Sequence, residues 1–127
     1  MKNWKPFVKY NDKFLDSISW FMRIGGISLF PFIILREKYK DGSKFWKAKA
    51  KKIINHETIH FQQQLELGVV LFYVIYVIEY IVKSLIYFNI QKGYYNISFE
   101  REAYTNEKNF NYLKNRKRYS WIKRIIK

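Results

Sequence analysis

The segment Asn55-His56-Glu57-Thr58-Ile59-His60 places two imidazoles four residues apart, with a carboxylate directly after the first. On a helix, residues four apart stand about 40° from each other and one turn along, so both rings can meet one Zn²⁺ at about 2.0–2.1 Å. The residue after the first ligand is rotated away from the metal and toward a water beside it. This gives Glu57 the place of a general base. Coordination lowers the pKa of such a water from 15.7 toward about 7; Glu57 takes the proton and returns one to the leaving amine. The chain has only two histidines, and chance would produce this spacing with an intervening glutamate on the order of once in a thousand such chains. His56 and His60 are therefore expected to hold zinc, with Glu57 as the catalytic base.

A catalytic zinc site takes three protein ligands and keeps one position open. With no third histidine, the remaining ligand must be a carboxylate. The downstream choices are Glu66, Glu79, Glu100, Glu102 and Glu107. Glu66 is too far along the same helix and Glu79 sits in apolar text, which leaves the cluster Phe99-Glu100-Arg101-Glu102-Ala103-Tyr104 with Glu100 and Glu102 both open. Tyr104, one turn beyond Glu100, could hydrogen-bond a developing oxyanion, although core packing is the commoner fate of an aromatic on a helix. Gln63 and Gln64 could steady a zinc histidine through its second nitrogen or face solvent. Arg101 reads as a surface or pairing residue.

Several elements must position these groups. After the turn signal Asp41-Gly42-Ser43, good helix formers from Phe45 to Leu67 carry apolar residues at helical spacing, predicting an amphipathic helix that holds the histidines. Gly68 interrupts it. The text from Val69 to Phe88 is then apolar except for Glu79, Lys83 and Ser84. It has about the length of a membrane span, but Glu79 and Lys83 are spaced to pair, and a span would separate the metal ligands unless the site lay within the membrane. A buried or interfacial hairpin helix is the reading that keeps them together. Beyond a breaker at Lys92-Gly93, Ser98 is a plausible N-cap for a helix running through FEREAYTNEKNFNYLKNRK. Upstream, Gly25, Gly26 and Pro31 break the apolar text that ends at Leu35, and a strand near Ile27 to Arg36 is expected, its proline on an edge or at a bulge.

The composition, 49% hydrophobic and 20% aromatic over 127 residues, fits one compact domain over 1–127 and excludes a disordered chain. No linker or repeat is visible. The absence of cysteine excludes disulfides and thiol chemistry. A net charge of +14 favours an anionic partner. Eight cations lie between Arg36 and Lys52, and eight more between Lys108 and Lys127 with no acid among them. An anionic membrane surface suits the basic, aromatic tail; nucleic acid is the weaker reading, because no recognised binding motif is present. The N-terminal text does not read as a secretory signal, so a cytoplasmic protein is expected, peripherally associated with or inserted in the inner membrane.

HETIH, followed about forty residues later by FEREAY, resembles the gluzincins, in particular the minimal gluzincins and the membrane-linked zinc proteases that pair HExxH with a helix bearing E-x-x-A-D. The resemblance spans His56 to Tyr104 and implies Glu100 as the third zinc ligand, with Ala103 the small residue packed nearby. Tyr104 stands where the family has an aspartate that supports a zinc histidine. The chain is also similar to a group of small uncharacterised bacterial proteins with LFPFI-like, HETIHxxQQ-like and FEREAY-like segments, here Leu29–Ile33, the histidine helix and the Glu100 helix. Together these imply an α+β, mostly helical, minimal zincin-like domain built of a short edge strand, an active-site helix, an apolar helix and a Glu-bearing helix. The implied activity is that of a metallopeptidase, its peptide or protein substrate added to the strand edge beside the metal. A membrane-surface zinc protein without turnover is the alternative.

Overall fold

A computed structural model describes residues 5–19 and 24–126. The chain is mostly helical with one small sheet, an α+β arrangement as expected. Strand β1 (Phe7–Tyr10), helix α1 (Asp12–Ile18), β2 (Gly26–Leu29) and β3 (Phe32–Leu35) form the N-terminal part. The sheet order is β1-β3-β2, with β1 parallel and β2 antiparallel to β3. The single strand expected through Ile27–Arg36 is thus a hairpin. Pro31, which has no N–H to give a ladder, sits in its turn after a cis peptide bond. The text read as an edge strand supplies both the central strand, β3, and an edge strand, β2.

Neither β1 nor α1 was evident in the sequence. The first is four residues of mixed polarity, and the second is a short helix fixed by its cap, where the Phe14 N–H donates to Asn11 Oδ1 at 3.0 Å. Arg36 ties α1 to the hairpin. Its guanidinium is 2% exposed, pairs with Asp16 and donates to the Ile24 carbonyl at 2.9 Å, so it belongs to the core rather than to a solvated basic face.

Helix α2 (Lys44–Leu67) holds the histidines as expected. Its helical repeat sorts residues onto two adjoining faces. Ile53, Glu57, Phe61 and Gln64 face the sheet, where Phe61 stacks on Phe30 at 5.4 Å. His56, His60 and Gln63 face helix α5 (Ser98–Asn106). Gly68 ends α2 with φ 82°, a left-handed value that favours glycine.

Helix α3 (Val69–Tyr87) is long and apolar enough to cross a membrane, with a mean hydropathy of 2.1, yet only 6% of that window is buried. The chain then reverses through Phe88 into the short α4 (Ile90–Tyr95), giving a hairpin; of the two alternatives expected for α3, buried or interfacial, its exposure does not meet the first. Lys92-Gly93 lies inside α4 instead of breaking the chain. A Cβ at Gly93 would stand 2.7 Å from the main chain of Ser84, so only glycine lets α4 lie this close to α3.

The helix expected from Phe99 to Lys117 is two pieces, α5 and the four-residue α6 (Tyr112–Asn115). Ser98 is its first residue and not its cap. Glu79 of α3 serves that end, accepting from the Ser98 N–H at 2.6 Å and hydroxyl at 2.7 Å, where a carboxylate also meets the positive end of the helix dipole. At the other end, Asn55 Nδ2 donates to the Glu107 carbonyl at 2.8 Å and reaches those of Asn106 and Asn109 at 3.3 Å, holding the chain after α5 against α2. The apolar cluster Phe72, Ile97, Phe99 and Trp121 locks α3, α5 and the C-terminal segment together.

Candidate metal centre

Helices α2 and α5 run antiparallel, so residues one turn apart on one meet residues spaced along the other. His56 Nε2 and His60 Nε2 are 3.2 Å apart; Glu100 places one carboxylate oxygen 3.2 Å from the first and the other 3.1 Å from the second. Tetrahedral bonds of 2.0–2.1 Å imply about 3.3 Å between ligand atoms. Two nitrogens and a carboxylate at this separation thus fit a zinc ion by donor type as well as by spacing. Glu57 lies to one side, its nearer oxygen 3.8 Å from His56 Nε2. It lines both cavities that flank the cluster.

A second ring of bonds orients the first. His56 Nδ1 meets Glu107 Oε2 at 2.7 Å, and His60 Nδ1 meets Gln63 Oε1 at 2.8 Å. Tyr76 of α3 donates to Glu100 Oε2 at 2.7 Å. Gln63 in turn donates to Glu102 Oε1 at 3.0 Å, and Glu102 is gripped by Arg116 and Tyr112. Glu102, the competing choice for third ligand, is therefore a fully buried anchor two bonds behind His60. Such outer bonds set the tautomer and aim of each imidazole.

The structure brings His56, Glu57, His60, Glu100 and Tyr104 together. Tyr104 packs edge-on against His56 at 4.5 Å, lines the larger cavity and is hydrogen-bonded to Tyr94. Gln63 takes the supporting place considered for it, but Gln64 does something else. Its Nε2 donates to the Ser28 carbonyl at 2.8 Å and its Oε1 accepts from the Phe30 N–H at 3.1 Å, as a neighbouring strand would. Tyr73 also donates to the Ser28 carbonyl. Gln64 thereby covers part of the edge of β2 expected to receive an extended peptide, leaving the Gly26 end of β2 beside Glu57.

Glu107, Tyr76 and Tyr73 were not anticipated in these roles. Signals were present: Glu107 stands seven residues, two turns, after Glu100, and Tyr73, Tyr76 and Tyr80 form an i, i+3, i+7 stripe on a mostly aliphatic helix.

Three carboxylates, those of Glu57, Glu100 and Glu107, surround two buried imidazoles. Burial alone would push the His56 pKa down, but the bonds to Glu100 and Glu107 outweigh it and raise it to about 10. His60 is raised in the same way, its burial overcome chiefly by Glu100. Against burial, the two imidazoles hold the Glu100 carboxyl below the usual carboxylate range. Glu57 moves the other way, raised by burial. The excess negative charge that keeps protons on the imidazoles also attracts a dication.

Two cavities meet at Glu57. The larger, about 840 Å³, is bounded by Gly25, Gly26, Lys49, Lys52, Tyr95 and Tyr104 among others. The smaller, about 210 Å³, lies between β2 and the inward tyrosines of α3. Gly26, Ile24 and Tyr94 border both. Compared with protein families, curated proteins and solved structures, the chain matches none.

Proposed function

We propose that this chain is a zinc-dependent metallohydrolase of the gluzincin kind, acting on peptide bonds. The observation that carries the proposal is the convergence of His56, His60 and Glu100 at tetrahedral ligand spacing beside a buried Glu57. A zinc ion held by those three residues supplies Lewis-acid activation of water and carbonyl oxygen. The chain provides the rest. Glu57, raised by burial and open to both cavities, takes a proton and passes one to the leaving nitrogen. Glu107 and Gln63 hold the two imidazoles with Nε2 directed inward, and Tyr76 steadies Glu100. Tyr104, beside His56 at the edge of the larger cavity, offers a hydroxyl to an oxyanion. The Gly26 end of β2 offers main-chain groups to an extended peptide lying across both cavities.

Elemental analysis of the wild type beside three variants tests this. One zinc per chain is expected in the wild type, none in His60→Ala, weakened binding in Glu100→Gln and full occupancy in Glu57→Gln. In a mixed-peptide cleavage assay, the wild type should cut and zinc-loaded Glu57→Gln should not. A wild type that takes up no zinc on reconstitution defeats the proposal. Zinc without cleavage would leave a zinc-binding protein that turns nothing over.

A further inference from the structure

The outward side of α3 inverts the pattern of a helix on a water-facing domain. Every exposed residue from Val70 to Ile86 is Val, Leu or Ile, while Tyr73, Tyr76, Glu79, Tyr80 and Lys83 are turned inward. Glu79 is engaged by Ser98, and Lys83 donates to the Ile125 carbonyl at 2.6 Å, so the charges of this helix are used inside the fold. The reversal after α3 adds Phe88, 96% exposed. An aliphatic surface of this length exceeds the patches that water-soluble monomers usually carry.

Beside α3 runs the C-terminal segment. Arg116 pairs with Glu66 at 2.6 Å just before α3, the Tyr119 N–H also reaches Glu66, and the Lys83 bond to Ile125 fastens the segment near the far end of the helix. Between these points the backbone forms turns and one 3-10 turn at Ile122–Arg124. Lys117, Arg118 and Lys123 are exposed along it, as are Ile122 and Ile126. From Lys108 to the end there are eight cations and no acid.

We propose that α3 lies in the plane of an anionic bilayer, its aliphatic face in the boundary between headgroups and acyl chains and the cations of the C-terminal segment on the lipid phosphates. This goes beyond the hydrolase reading and does not depend on it. A crossing helix would fit by length alone, since 19 residues extend about 28 Å against a hydrocarbon thickness of about 30 Å. Crossing would, however, carry the attached C-terminal segment into the hydrocarbon, where irregular backbone exposed to lipid is not tolerated and Lys123 would be costly. Lying flat satisfies both, because apolar side chains and cations then meet the layers that suit them. A second copy of the chain is the poorer cover for this face, since it would bring another +14 against the first.

The lack of native cysteine permits a direct depth measurement. Leu71→Cys, Ile78→Cys and Leu85→Cys, made singly in the full chain, each receive an environment-sensitive fluorophore. They are mixed with vesicles of equal parts phosphatidylglycerol and phosphatidylcholine carrying a nitroxide at a shallow or a deep acyl position. All three probes should shift to the blue, and the shallow nitroxide should quench each more than the deep one. Lys117→Gln combined with Lys123→Gln should weaken vesicle binding about thirtyfold. Strongest deep quenching at position 78, with shallow quenching at 71 and 85, would replace the flat helix by a crossing one. Equal binding to pure phosphatidylcholine, unaffected by the paired lysine change, would remove the role given to anionic lipid. No blue shift with any vesicle would overturn the proposal, and dimerisation in sedimentation velocity would then assign the face to a second copy.

Discussion

Where α2 meets α5 the buried side chains include a run of ionisable or hydrogen-bonding groups, His56, His60, Gln63, Glu100 and Glu102, with Glu57 beside them on the sheet-facing side of α2. On the outward side of α3 the exposed side chains are aliphatic. The two regions share one helix, since the same α3 that shows Val74 and Ile78 to the outside gives Tyr76 to Glu100. Among the described residues, thirteen polar or charged side chains are buried against eleven apolar ones. Apolar burial alone therefore does not account for the interior. A buried charge is tolerated when it is paired and hydrogen-bonded, and here the bonds run in series from Arg116 through Glu102 and Gln63 to His60. The comparison teaches that the polar interior is specified by its bonds, whereas the outer face of α3 has no comparable set.

The sharpest way to break the interior half of that comparison is Arg116→Met. It leaves Glu66 and Glu102 buried around an uncharged side chain, which should cost about 3–5 kcal/mol, read as a lowered denaturant midpoint. Zinc affinity should also fall, because Glu102 would no longer hold Gln63 against His60. A midpoint unchanged from the wild type would show that these carboxylates are not held as described.

Glu107→Gln acts closer to the centre and should have a smaller effect on the fold. It removes the charge that accepts from His56 Nδ1 but keeps the shape, and the expected cost is about 10–100-fold in zinc affinity, measured by competition with a chelating dye. An affinity equal to that of the wild type would reduce Glu107 to a bystander.

The pH dependence of metal-free protein tests the same pairing without a mutation. His56 has a folded pKa of about 10 against an ordinary 6.5, so the stability it contributes is complete below about 6.5 and is lost as pH rises toward 10. Chelator-treated protein should therefore grow less stable between those values in thermal melts. Zinc should flatten the trend by taking the place of the protons. A metal-free protein that becomes more stable over this window would contradict the sign.

Much of the centre was legible because HExxH and the later glutamate cluster are local texts whose chemistry depends on helical spacing alone. Spacing did not separate Glu100 from Glu102, since either could project from a helix; what distinguishes them in the fold is Arg116, fourteen residues beyond Glu102, which bonds Glu102 and leaves Glu100 between the two imidazoles. The split of the Phe99–Lys117 text was hidden for a similar reason. It depends on Asn55, distant in sequence, supplying a donor to carbonyls after α5. The hairpin was misread as one strand because Ile27–Leu35 is apolar on both sides of Pro31, and periodicity does not separate one buried strand from two. The length of α3 was plain, but its inverted orientation was not, for the sequence shows the tyrosine stripe without showing which side it faces.

The smallest expected effect tests the outer half of the comparison. Val77→Gln combined with Ile81→Gln places two amides on the exposed side of α3, 51% and 56% exposed at those positions. With no membrane present, stability should change by less than about 0.5 kcal/mol, since surface replacements away from caps and buried networks usually do, and glutamine is at least as good a helix former as either residue. The cluster of His56, His60 and Glu100 should be untouched, because Tyr76 and Tyr80, which neighbour Val77 and Ile81 in sequence, remain on the inward face. A loss of several kcal/mol would mean that this surface is buried in the free protein after all. The aliphatic face would then be part of a core, and the contrast with the α2–α5 interior would vanish.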